Sequence, residues 1–152
     1  MNNKRLFIAC PISKYLTEDG INKDFEMFIK ELVKLCRKHF KEVYIALERE
    51  EYGNKKMYGS ICTILDFRKI ETIDVLLAIP EDSMGASIEI GWASALEKEV
   101  IVVTDKKFKQ SELVKSINCI TNGVTINIDS SNGYSKEKNT LFKKLEEYFR
   151  NN

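Results

Sequence analysis

Apolar runs of strand length alternate along the chain with longer stretches whose apolar residues recur three and four positions apart. "RLFIAC" (5–10) predicts a first strand. Over 21–40, Ile21, Phe25, Phe28, Ile29, Leu32, Leu35 and Cys36 fall on one face of an amphipathic helix. "EVYIAL" (42–47) predicts a second strand, followed by the polar connection "EREEYGNKK". Ile61, Ile64, Leu65 and Ile70 mark a helix from Met57 to Ile73. "DVLLAIP" (74–80) shows no polar alternation, the pattern of an inner parallel strand covered on both faces. A helix from Ser87 to Lys98, a strand over 99–105 and a shorter helix from Ser111 to Cys119 follow. A fifth strand over 124–129 and a closing helix from Lys136 to Phe149, apolar at Leu141, Phe142, Leu145, Tyr148 and Phe149, complete the pattern.

Five strands alternating with helices, without repeat or linker, predict an α/β fold. We expect a single doubly wound domain over 1–152. Its five-stranded parallel sheet is flavodoxin/Rossmann-like, in the order 2-1-3-4-5 with helices on both faces. Ligands of such sheets bind beyond the carboxyl ends of the strands, where the order reverses. That places "CPISKY", after the first strand, and "PEDSMGAS", after the third, beside the expected site.

Composition narrows the classes. With 24 Lys and Arg against 23 Asp and Glu, the surface is not built mainly for nucleic acid or a membrane. No apolar run approaches the roughly 20 residues of a spanning helix. The short apolar stretch of "MNNKRLFIACPIS" does not suit a signal peptide, so a cytoplasmic protein is expected. Cys10, Cys36, Cys62 and Cys119 are scattered, which favours buried free thiols over disulfides or metal ligands. His39 stands alone at the end of a helical pattern, where it complements the helix dipole. Neither a metal nor a cofactor is expected.

The stretch "SMGASIEIGWA" (83–93) carries the chemistry. A helix N-terminus offers free amides and a positive dipole end to an anion. Gly85 permits close approach, and Ser83 and Ser87 add hydroxyls. A plain serine cap with a turn glycine explains the same residues. Glu89, between Ile88 and Ile90, is either a dipole-complementing acid or a carboxylate at a pocket edge. At about 1.5 Å rise per residue it lies roughly 3–6 Å along the axis from the amides of 85–87, the scale of a furanose ring. Asp66 is a second acid, on the preceding helix, and a solvent-facing role fits it equally well. Asp74 opens the third strand and reads as structural. Two carboxylates beside an anion-binding turn suit cleavage of a glycosidic bond through an oxocarbenium-like state.

The stretch "DFRKIETIDVLLAIPEDSMGASIEIGWASALEKEVIVV" resembles the core of the nucleoside 2-deoxyribosyltransferase superfamily. It is most similar there to the nucleoside 5′-monophosphate N-glycosidase branch. The resemblance rests on Asp66, Asp74, Ser83, Gly85, Glu89, Gly91, Ala93 and Lys98, and on "LFIACPI" as the first strand. It implies that Glu89 is the nucleophile of a glycosyl-enzyme intermediate. Asp66 would hold the sugar or base and help protonate the leaving base, and Ser83 would bind the 5′-phosphate. The transferases carry Asp at the position of Ser83, where a charge would repel phosphate.

The chain departs from the family at Phe7, where relatives acting on deoxynucleotides tend to carry Tyr. It departs again at Cys10 and Pro11, in place of a glycine and a serine of the phosphate loop. Pro11 has no N–H to donate, and Ser13 and Lys14 stand near enough in sequence to compensate. Ser87 replaces a common glycine. The resemblance also implies a homodimer or higher oligomer whose neighbouring subunit completes the site, through Ser116 or Asn118. Tyr52 or Tyr58 of the polar loop could stack on the base. The leading expectation is hydrolysis of a nucleoside 5′-monophosphate to base and (deoxy)ribose 5-phosphate. Base exchange by a deoxyribosyltransferase and nucleotide binding without turnover are the alternatives.

Overall fold

The computed structural model describes residues 1–18, 20–55, 57–132 and 134–152. Five parallel strands form the main sheet: β1 (Arg5–Ala9), β4 (Glu42–Ile45), β5 (Val75–Ala78), β6 (Glu99–Asp105) and β7 (Gly123–Ile128). Their order, β4-β1-β5-β6-β7, is the predicted 2-1-3-4-5. β1 is the pivot, pairing Phe7 with Tyr44 on one side and with Leu76 on the other. β5 is buried along its whole length, as its unbroken apolar run requires.

Helices cover both faces. On one, α2 (Lys23–Cys36) and α7 (Tyr134–Asn151) pack Phe25, Phe28, Ile29, Leu32, Leu141 and Leu145 against Leu6, Ile8 and Leu77. On the other, α4 (Gly59–Thr72), α5 (Met84–Ala95) and the short α6 (Glu112–Lys115) bring Ile70, Ala86, Ile90, Ala93 and Val114 onto Phe7, Leu76, Val100 and Val102. Alternate strand residues therefore feed opposite cores.

Three of the differences from the sequence pattern matter most. The second strand ends at Ile45, and its expected last two residues join the polar connection in the short helix α3 (Ala46–Arg49). Between β1 and α2 the chain forms α1 (Ile12–Tyr15) and a hairpin of β2 (Leu16–Thr17) with β3 (Gly20–Ile21), so Ile21 belongs to the hairpin and not to the first amphipathic helix. The third helix starts at Met84 rather than Ser87, because Ser83 caps it, its Oγ accepting from the Ala86 amide at 3.3 Å.

The four cysteines are free, as expected, but only Cys10 and Cys36 are buried, and Cys119 is exposed. His39 lies beyond the end of α2, its ring centroid 5.4 Å from that of Phe149. Among the described residues no helix is long and apolar enough to cross a membrane.

Candidate active site

At the carboxyl ends of β1 and β5 a cavity of about 730 Å³ opens between α1, the hairpin, α3, α4 and the start of α5. It gathers Glu89, Asp66, Ser83, Gly85 and Ser13, residues far apart in sequence. A side cavity of about 420 Å³ shares Ser13, Ser83 and Gly85 with it and adds Pro11, Lys14 and Asp82. Ser13, Ser83 and Gly85 thus line both cavities beside the α5 N-terminus, and Pro11 and Lys14 line the second.

Ser83 serves both as helix cap and as cavity wall. Its oxygen accepts from Ala86, leaving the hydroxyl proton to donate. A Cβ added at Gly85 would meet only Ser83 Oγ, at 3.8 Å, so neither packing nor φ demands glycine there. Its missing side chain leaves the wall open instead. The turn before Ser83 is held firmly. Glu81 is buried with a left-handed φ of 47°, accepts from Tyr15 Oη at 2.9 Å and lies 2.9 Å from Lys14 Nζ. Lys14 also pairs with Asp82 at 2.8 Å. A strained, over-determined residue at a loop of this kind is common beside binding sites.

Asp66, 8% exposed, does not face solvent. Its Oδ1 accepts from Arg49 Nη1 at 2.6 Å and from Tyr44 Oη at 3.2 Å. Burial pushes the Tyr44 phenol up to about 12, with the Asp66 charge adding to the rise. Arg49 also donates to Glu50, which lines the cavity. Glu89 is half-buried and, among the described residues, accepts no hydrogen bond within the chain. Burial pushes its carboxyl up to about 8, the Asp66 charge adds to the rise, and Arg49 opposes it.

Several expectations find other places. Phe7 is fully buried, its ring 5.0 Å from Tyr44, and belongs to the core rather than the cavity wall. Ser87 donates to Ser83 O at 2.9 Å and faces a separate cavity with Gln110, Ser111 and Val114. Asn118 lies at the opposite end of the sheet in its own chain. Its amide donates to Val100 O at 2.9 Å and accepts from Thr125 at 2.7 Å. The polar loop reaches the cavity through Gly53, Lys55 and Met57, not through its tyrosines. Tyr58 is 81% exposed, and Tyr52 packs under Lys30. Gly53 is required there, since its φ is 88° and a Cβ would come within 2.9 Å of Leu16 in the hairpin.

Arg49, Tyr44 and Glu50 were not visible as site residues in the pattern. The available signal was positional: β4 lies beside β1, so whatever follows it stands at the same carboxyl end. The hairpin had a cue too, the Asp-Gly pair at 19–20. Among the described residues no group of three His, Cys, Asp or Glu side chains is placed to hold a metal ion.

No protein-family model matches the chain, and no curated protein matches it by sequence. Solved structures do. The chain is similar to the CMP N-glycosidase BcmB of Clostridium botulinum, with 26% identity, 95% of this chain and 99% of that one covered, and a TM-score of 0.68. It shares its fold with BlsM, at 24% identity, 93% and 88% coverage and a TM-score of 0.72. A conserved protein of Enterococcus faecalis V583 has the same fold at 12% identity, 96% and 99% coverage and a TM-score of 0.63. The chain thus resembles the nucleoside 2-deoxyribosyltransferase-like proteins in fold, and a nucleotide N-glycosidase in fold and sequence.

Proposed function

We propose that the protein hydrolyses the N-glycosidic bond of a nucleoside 5′-monophosphate, with Glu89 as nucleophile. The observation that carries this is the meeting of Glu89 and Asp66 with Ser83, Gly85 and Ser13 around one cavity at the α5 N-terminus. The likeness to a CMP N-glycosidase supports the substrate class. The phosphate lies against the amides of α5, Ser83 and Ser13, with Lys14 close by. The Glu89 carboxylate attacks C1′ as the C1′–N bond breaks. The electron pair of that bond leaves with the base, which takes a proton from water. A second water then attacks C1′, releasing sugar 5-phosphate, a proton and the Glu89 carboxylate. The ion pair of Asp66 with Arg49 suits it to accept hydrogen bonds from a sugar hydroxyl or base N–H, the holding part of the role the resemblance implies.

A second copy of the chain completes the assembly. Ile61, Ile64 and Leu65 of α4 and Met84 and Ile88 of α5 are large apolar residues left exposed. Such a face is the kind that homodimers bury. Sedimentation of the protein and of an Ile64→Glu variant tests this, with a shift toward monomer expected.

Incubation with a panel of ribo- and deoxynucleoside monophosphates and free nucleosides, with and without an acceptor base, tests the activity. Base released from monophosphates alone, and lost in Glu89→Ala, is the expected result. Exchange between free nucleosides would make the protein a transferase, and binding without release would make it a nucleotide-binding domain.

A further inference from the structure

One cation is shared by two carboxylates beside the cavity. Arg49 ends α3, the short helix that follows β4 directly. Its Nη1 donates to Asp66 Oδ1 at 2.6 Å and to Tyr44 Oη at 2.8 Å. Its Nη2 donates to Glu50 Oε1 at 2.7 Å and to Asp66 Oδ2 at 3.4 Å. The three side chains are largely buried, Arg49 and Asp66 at 15% and 11% exposure and Glu50 at 17%. A planar fork engaging both oxygens of Asp66 and one of Glu50 fixes their orientation as an ammonium would not.

Glu89 faces this cluster across the cavity. Around it stand Asp66 from α4, Arg49 at the end of α3, Glu50 just after it, and the Cys10 thiol just beyond β1. Tyr44 of β4 and Cys62 of α4 bond to the cluster from behind, Tyr44 to Asp66 and Cys62 to Glu50 at 3.7 Å. Glu18 and Lys55 lie on the cavity wall. Asp66, Glu50 and Glu89 disfavour one another's charge, and Glu18 on the same wall and a bound phosphate add to the repulsion. A nucleophilic Glu89 must nonetheless be ionised.

We propose that Arg49 is the positioning residue of this site, pinning Asp66 and Glu50 and balancing their charge so that Glu89 ionises to a carboxylate more readily than its acidic neighbours would otherwise let it. The use of that carboxylate in catalysis rests on the glycosidase reading; the charge balance does not. Burial and then Asp66 push Glu89 up, and Arg49 is the opposing influence.

The test follows the Glu89 carboxyl by NMR titration of the full chain labelled with ¹³C-glutamate, without substrate, the signal assigned by Glu89→Gln. Arg49→Gln is expected to raise the titration midpoint by about one pH unit or more. Because Arg49→Gln leaves both Asp66 and Glu50 without their shared partner, the same change is also made in an Asp66→Asn/Glu50→Gln background. No carboxylate is left there to lose its partner, and the midpoint is again expected to rise. Arg49→Lys keeps the charge and loses the fork, so it should hold the midpoint while lowering kcat. Where base release is measurable, the acid limb of kcat/KM should move with the midpoint. An unmoved midpoint in both backgrounds overturns the assignment. A midpoint that moves in a protein releasing no base from any monophosphate upholds it and sinks the glycosidase reading instead.

Discussion

The two ends of the sheet both gather acids, and they use them in opposite ways. At the amino end, Asp74 accepts from the Arg5 amide at 2.7 Å and Glu99 takes Lys4 at 2.8 Å and Tyr148 Oη at 3.0 Å. Glu42 pairs there with Lys69. Each of these acids is satisfied by its own local partners and joins strand to neighbour. At the carboxyl end, Asp66 and Glu50 share Arg49, and Glu89 accepts no hydrogen bond from the described residues. A carboxylate with its own donors is complete. A carboxylate crowded among others, without donors, is left to meet a ligand, and this is how functional sites raise carboxyl groups into the neutral range.

The hardest break of this contrast is Glu89→Gln. We expect base release to fall on the order of 10³-fold or more with the fold intact, as is usual for loss of a nucleophile. Asp74→Asn, the matching change at the amino end, should leave release unchanged and lower stability by about 1 kcal/mol. Activity of the two variants beside thermal unfolding checks the pair.

Asp66→Asn comes next. Its loss of orientation should cost on the order of 10²-fold in kcat. It should also destabilise the fold by about 3 kcal/mol, because Arg49 is left buried beside a neutral amide. Denaturant titration separates the two effects.

A pH series sharpens the contrast through stability. Glu89 titrates about 8 in the fold and near the ordinary 4.5 when unfolded. Between these values the folded state holds a proton that the unfolded state has lost. Stability therefore falls as pH rises through this window, and the loss is complete above about 8. Glu89→Gln removes that slope and should gain about 2 kcal/mol over the parent at pH 9. In the parent, kcat/KM should climb with pH and level off above about 8.

Ser83 gives a smaller, cleaner separation. Ser83→Asp keeps an N-cap, so Tm should hold, while KM for a monophosphate rises about tenfold through repulsion. Ser83→Ala should lose about 1 kcal/mol of stability as well. The smallest effect is expected at Glu99→Gln, under about 1 kcal/mol with unchanged activity, since its pair with Lys4 is partly solvated.

Much of the fold was legible because burial writes a period into the chain. The all-apolar β5, the helical spacing of α2 and the alternation of strands and helices were enough for strand order and layers. What escaped was local and polar. The hairpin at 16–21 and α3 are too short for periodicity to show, yet both line the cavity. The Glu89 and Ser83 positions were legible because an acid and a cap beside a strand end are unusual in an apolar stretch. Arg49, Tyr44 and Glu50 were not, since "ALERE" reads like any charged connection. Phe7 is a site residue only by the family resemblance, and Ser87 by its place at the helix N-terminus. The alternation of side chains along β1 turns Phe7 into the core, and the pitch of α5 turns Ser87 toward Gln110.

By itself the sequence determined the doubly wound sheet, its order and the end at which the cavity opens, because hydrophobic burial is recorded residue by residue along the chain. Only the tertiary structure decided which charges share a cavity. Whether Asp66 faces solvent or Arg49, and whether Glu89 stands alone or among acids, depends on segments dozens of residues apart meeting at one strand end. Electrostatic energy is set by those distances and by the water excluded between them, and neither is written in any local stretch.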